Sequence, residues 1–171
     1  LDPEKRREIY KAAFDHVTVQ VQDAGPAEGI GLVDGTVLAA HLKEFDGQIW
    51  RYTDPAGEEH ALPAKSVAYI FTQPLPPDLR LALPSGKTKV NLLNGDALDG
   101  EVRALRDGKF TVDSVAFGLQ TPELAKVFTV VLRPVAVKGM FSVATRDGTI
   151  YRGKEVTVGD GVITVTSDLT G

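Results

Sequence analysis

The stretch Asn91–Val112, "NLLNGDALDGEVRALRDGKFTV", decides how the rest of the chain reads. Two turn signals, Asn94-Gly95 and Asp107-Gly108, bracket an alternating segment interrupted only by Gly100. Such dipeptides readily take the positive φ angles of a tight hairpin, so both mark chain reversals. Glycine inside the long segment suits a bend or bulge, the device by which a small sheet curls on itself. The stretch therefore predicts strands at Lys89–Leu93, Ala97–Leu105 (long and bent) and Phe110–Val115. Two more are expected near Leu119–Thr121 and Lys126–Leu132. Five short, bent, antiparallel strands predict a small closed barrel with few open edges.

The same punctuation returns twice. Asp34-Gly35 is followed 12 residues later by Asp46-Gly47, and Asp147-Gly148 is followed 13 later by Asp160-Gly161. Gly100 and Gly153, Val112 and Val165, Ser114 and Ser167, and Gly118 and Gly171 all share an offset of 53. Leu62–Phe71 resembles Thr121–Leu132, a proline followed by an apolar strand. Three pairs at matched spacing with matching flanks read as three diverged units. Their expected bounds are 16–73, 88–134 and 135–171, with a proline-rich link over 74–87 and Pro134 at the second junction. Residues 1–15 read as a short helix, capped by Asp2 with Pro3 in its first turn, and carrying Ile9, Ala13, Tyr10 and Phe14 as an apolar stripe. The expected fold is all-β: tandem small barrels with a short N-terminal helix.

Unit three stops at Gly171, which matches Gly118, whereas unit two continues for another 14 residues through its last strands. The expectation is a barrel short of its closing strands. The gap would be filled by the alternating segment Val17–Gln22, by a neighbouring chain, or by sequence beyond Gly171.

The pattern "VNLLNGDALDGEVRALRDGKFTV…FTVVL" resembles the Sm-like or SH3-like small barrel. It is similar in particular to the "NGD-x-L-x-G-x-V…DG" repeats of often exported bacterial proteins. The resemblance implies a barrel fold and a periplasmic or extracellular setting. Sm proteins that bind RNA use an Asp-x-Met-Asn segment after the second strand. The corresponding stretch here, Arg106–Phe110, lacks the asparagine, so RNA recognition does not carry over.

Composition narrows the function classes. The chain has 171 residues and a net charge of −4, without the basic excess that general nucleic-acid binding requires. With no cysteine, disulfides, thiol nucleophiles and thiolate metal sites are excluded. No apolar run approaches the roughly 20 residues needed to cross a bilayer as a helix. Pro84–Lys89, "PSGKTK", ends like a phosphate loop, but Leu81 stands where the first glycine is required. His16, His41 and His60 are scattered, and Asp96 and Asp99 flank a turn where solvated carboxylates are ordinary. No catalytic constellation, metal site or cofactor is expected.

Trp50 and Tyr52 pose the one sharp choice. Aligned on the Asp-Gly turn, they match Thr111 and Asp113, opposite the inward sets Phe110 and Val112 or Ile163 and Val165. That register makes them an exposed pair able to stack on a sugar ring or a partner, with Arg51 inward. A slip of one residue buries both rings and frees Arg51, and the pattern favours it because burying the charge is the worse outcome. The expected function is a non-catalytic interaction or assembly module with a protein partner or self-association. Carbohydrate binding through Trp50 and Tyr52 is the alternative, and Sm-like nucleic-acid binding stands against the acidic balance.

Overall fold

The computed structural model of the chain describes residues 25–76, 79, 83, 87–136 and 141–167. The helix expected over 1–15 and the segment Val17–Gln22 lie outside them. The first run of strands is β1 (Gly29–Leu32), β2 (Val37–Ala39), β3 (His41–Phe45), β4 (Ile49–Thr53) and β5 (Glu59–Pro63). A single 3₁₀ turn, Ala64–Ser66, then leads into β6 (Val67–Phe71). The second run repeats this order: β7 (Lys89–Leu92), β8 (Ala97–Arg106), β9 (Lys109–Ser114), β10 (Gly118–Gln120), a 3₁₀ turn at Leu124–Lys126, and β11 (Val127–Val131). Here β2 and β3, broken only at Ala40, take the place of the single long strand β8. The third run is β12 (Phe141–Ala144), β13 (Ile150–Gly153), β14 (Glu155–Gly159) and β15 (Val162–Thr166). The named strands pair antiparallel throughout.

Turn hydrogen bonds repeat between the first two runs at residues sixty apart. Leu32 N–H donates to Thr36 O at 2.8 Å, and Leu92 N–H to Asp96 O at 2.8 Å. Ala64 N–H donates to Gln48 O at 2.6 Å, and Leu124 N–H to Gly108 O at 2.7 Å. The repeat therefore extends to individual backbone bonds.

Strands β1–β13 form two sheets that share the long bent strand, and β14 and β15 pair as a separate hairpin. One runs β12-β13-β2-β1-β6-β11-β7 and ends on the first residues of β8; the other runs β5-β4-β3, the rest of β8, β9 and β10. The bend falls where the sequence places it. A Cβ on Gly100 would lie 2.2 Å from Asp113 O, so only glycine lets β8 cross so close to β9. Gly153 is in the same position, with Thr166 O at 2.6 Å from its imagined Cβ.

The first two runs join edge to edge about a pseudo-two-fold axis. Equivalent residues face each other: Ile70 pairs with Val130 across β6 and β11, and Phe45 with Leu105 across β3 and β8. The flanking bonds are reciprocal, Thr72 N–H to Phe128 O at 3.1 Å and Leu132 N–H to Ala68 O at 2.8 Å. As a result the two runs enclose one core. Ile30, Phe45, Trp50, Val67 and Ile70 from the first pack with Val90, Leu105, Phe110, Val112 and Val130 from the second. Each such side chain contributes about 1.5–3 kcal/mol by leaving water, and neither run alone could bury the full set.

The third run attaches to the free edge of β2 by a second pseudo-two-fold contact. Val37 pairs with its equivalent, Ile150. Thr149 Oγ1 accepts Ala39 N–H at 3.0 Å, and Thr36 Oγ1 accepts Arg152 N–H at 3.1 Å. Both threonines are buried, so each backbone donor that the short pairing leaves over still finds an acceptor. A second apolar cluster covers the outer face here, built on Val37, Ala68, Tyr69 and Phe71 with Leu75 and Ile150 against it. Leu75 lies in the proline-rich link and is buried.

Candidate functional site

The structure has the register that buries Trp50 and Tyr52 and frees Arg51, the one favoured by the cost of burying a charge. Trp50 is 0% exposed and Tyr52 8%, both within the shared core. Trp50 stacks on Phe45 with centroids 3.9 Å apart and tilts against Phe110 at 6.5 Å. Tyr52 lies against the His60 ring at 5.3 Å, and burial pushes its hydroxyl pKa up. Arg51 points outward, with Glu44 3.9 Å away. Trp50 therefore corresponds to Phe110, not to Thr111.

The physical reason lies in the turns. Asp107 and Gly108 both have positive φ, 49° and 70°, and form a two-residue corner; Asp160 and Gly161, at 52° and 77°, do the same. In the matching Asp-Gly pair of the first run only Gly47 has positive φ, and Asp46 instead accepts the N–H groups of Gln48 and Ile49, each at 2.8 Å. Loop lengths are equal, since Phe45 pairs Trp50 as Leu105 pairs Phe110. The Asp-Gly pair sits one position earlier. Those two N–H bonds hold the Asp46 carboxyl below its ordinary pKa.

The described histidines do not converge. His41 Nδ1 bonds Glu28 Oε1, while His60 Nε2 is 3.1 Å from Asp54 Oδ2. Asp54, Glu58 and His60 do bring three ligand-type atoms within 4.8 Å of one another. Asp54, however, is engaged as a turn residue. It accepts Glu58 N–H at 2.9 Å, which with His60 lowers its pKa. A solvated turn accounts for that trio.

What stands out is the third run. Its offset of 53 from the second is structural, as the matching Gly100 and Gly153 approaches show. On that mapping Val158 corresponds to Leu105 and Phe45, and Ile163 to Phe110 and Trp50, all four of them core residues. Yet Val158 is 74% exposed and Ile163 55%, with Val162, Phe141 and Tyr151 also open. The inward assignment of Ile163 is thus corrected too, and Val165 is only half-buried. No strand among the described residues lies opposite these side chains to cover them.

The edges tell the same story. β1 is flanked by β2 and β6, and β7 by β8 and β11. Their counterpart β12 pairs with β13 alone among the described strands. Among the described residues, one edge of β12 therefore offers backbone N–H and C=O groups beside an apolar face that none of them covers, a template for another strand. Sequence reasoning named Ile163, but as an inward residue, and did not name Val158; the offset of 53, applied to Leu105, was the available signal for the latter. A second apolar patch, Val115, Phe117 and Leu119, lies exposed around the β9–β10 connection.

Comparison of the chain with family models, with curated proteins and with solved structures finds no match. No described helix is long and apolar enough to cross a membrane.

Proposed function

We propose that the chain is a non-catalytic interaction or assembly module, built of small SH3/Sm-like barrel units that bind protein partners through strand edges and barrel surfaces. One observation carries this reading: the third run exposes, at Val158 and Ile163, the positions that the other two runs bury against each other. An apolar, edge-bearing surface of this kind gains free energy when a partner covers it. The resemblance to repeats of exported bacterial proteins adds a periplasmic or extracellular setting.

The carbohydrate alternative loses its platform, since a wholly buried indole has no free face to stack on a sugar. Sm-like nucleic-acid binding gains nothing beyond the fold resemblance, and the net charge of −4 opposes it.

Light scattering over a range of concentrations, paired with pull-downs on the immobilised chain, tests the reading. The expected result is self-association or retained protein partners, weakened when Val158, Val162 and Ile163 are replaced by lysine. A strict monomer that retains nothing would remove the support for it.

A further inference from the structure

The uncovered edge of β12 has two internal templates. In the first run β6 lies antiparallel on β1, with Ile30 opposite Ile70 and Gly31 opposite Tyr69. In the second, β11 lies antiparallel on β7, with Val90 opposite Val130 and Lys89 opposite Val131. Both closing strands follow a 3₁₀ turn and carry a bulge after their first residue, at Ala68 and Phe128. The bulge breaks the usual alternation, so the inward apolar residues are the first and fourth: Val67 and Ile70, and Val127 and Val130. In both runs these two residues are fully buried. The third run carries the receiving half of the same arrangement, with Val143 in the position of Val90 and Ile30.

We infer that β12 is an acceptor site for an extended peptide of this chemistry, supplied by a protein partner. The peptide lies antiparallel to β12, with β-branched residues at its first and fourth positions. Its fourth residue sits opposite Val143, and its apolar pair covers Val143, Ile163 and Val165. Main-chain bonds along the edge give affinity, and the spacing of the two apolar residues gives selectivity. This inference rests on the reading of the chain as an interaction module and names the partner of one of its edges.

The test uses the full chain and a labelled synthetic peptide with the sequence of Thr121–Leu132, followed by fluorescence anisotropy and amide exchange. Saturable 1:1 binding is expected, with slowed exchange at residues 141–144. Glutamate at the two peptide positions corresponding to Val127 and Val130 should weaken binding at least tenfold, as should a scrambled order. Three results would overturn the inference: no saturable binding, equal binding of the scrambled peptide, or β12 amides already protected in the free chain. The last would mean that a second copy, if protection rises with concentration, or the chain's own residues hold the edge. A silent peptide with persistent self-association through Val158 and Ile163 would sink this inference alone. A silent peptide with a strict monomer that retains no partner would sink the module reading as well.

Discussion

At the scale of single residues, the placement of Trp50 turns on one Asp-Gly pair that does a different job in each unit. The dipeptide is the same at positions 46–47, 107–108 and 160–161, and the sequence read alone aligns them. Only the φ angles separate a corner with two positive values from a turn held by the Asp46 carboxylate. The cost of burying Arg51 was the legible clue that the outward register of Trp50 was wrong. Because Trp50 is the sole tryptophan, its burial has a direct readout: blue-shifted emission that iodide does not quench. Its replacement by alanine should destabilise the protein by about 3–5 kcal/mol in denaturant unfolding. Asp46 sets a pH dependence of definite sign. Its carboxyl is held below 3.8 by the N–H groups of Ile49 and Gln48. A lowered folded pKa means a contribution fully present above the unfolded value and lost as pH falls through the folded one. An NMR titration of the Asp46 carboxyl should therefore show a midpoint below 3.8. Asp46→Asn, which keeps an acceptor oxygen, should remove that part of the acid sensitivity.

At the scale of elements, the strands of unit two fall within a residue or so of where the turn signals put them. The expected Ala97–Leu105 is observed as Ala97–Arg106, and Phe110–Val115 as Lys109–Ser114. Short-range chemistry sets these ends, which is why they are legible. Gly100 was read as a bend, and the reason proves to be steric: the β9 backbone at Asp113 occupies the space of a side chain. Gly100→Ala must push β8 off β9 and should cost about 1–3 kcal/mol, the range for overpacking a tight contact. Thermal or denaturant unfolding measures it. Gly95→Ala is the informative contrast, because no atom lies within 4 Å there and only the positive φ of 92° is strained. That change should cost nearer 1 kcal/mol. Equal losses at the two sites would argue against the close approach at Gly100. Less legible were β6 and β11. Their sequences, VAYIF and VFTVV, are apolar throughout but for Thr129, where a strand with one wet face would alternate. The runs already signalled that both faces and both edges of these strands are covered. They could not say by what.

At the scale of the molecule, what covers them is the equivalent strand of the neighbouring unit. No short-range pattern encodes that choice, because it depends on residues sixty apart meeting their own counterparts about an axis. The edge of β2 shows how such meetings are sorted. Thr36 and Thr149 exchange bonds with opposing backbone, whereas the second unit places Asp96 at the matching position. An exposed carboxylate there discourages another strand from docking on β8, as charge on an edge does generally. The architecture also sets how the chain unfolds. Units one and two bury one core, so separating them exposes Phe45, Leu105, Ile70 and Val130 together. They should open as a single cooperative block, and cleavage between residues 76 and 87 should leave the two fragments associated. Unit three differs. Of its described residues 141–167, only Thr149 and Gly153 are buried, so no apolar side chain there is fully withdrawn from water. Its attachment rests on the short β2–β13 pairing, the threonine bonds, Ile150 and a hydrogen bond from Ser167 Oγ to Asp34 Oδ2 at 2.6 Å, among the described contacts. Local opening free energy follows buried apolar contact, so amides of β14 and β15 should exchange orders of magnitude faster than those of β6 and β11. Uniform protection across 29–166 in hydrogen exchange would contradict this. It would mean that the third unit's apolar face is already covered in the free protein.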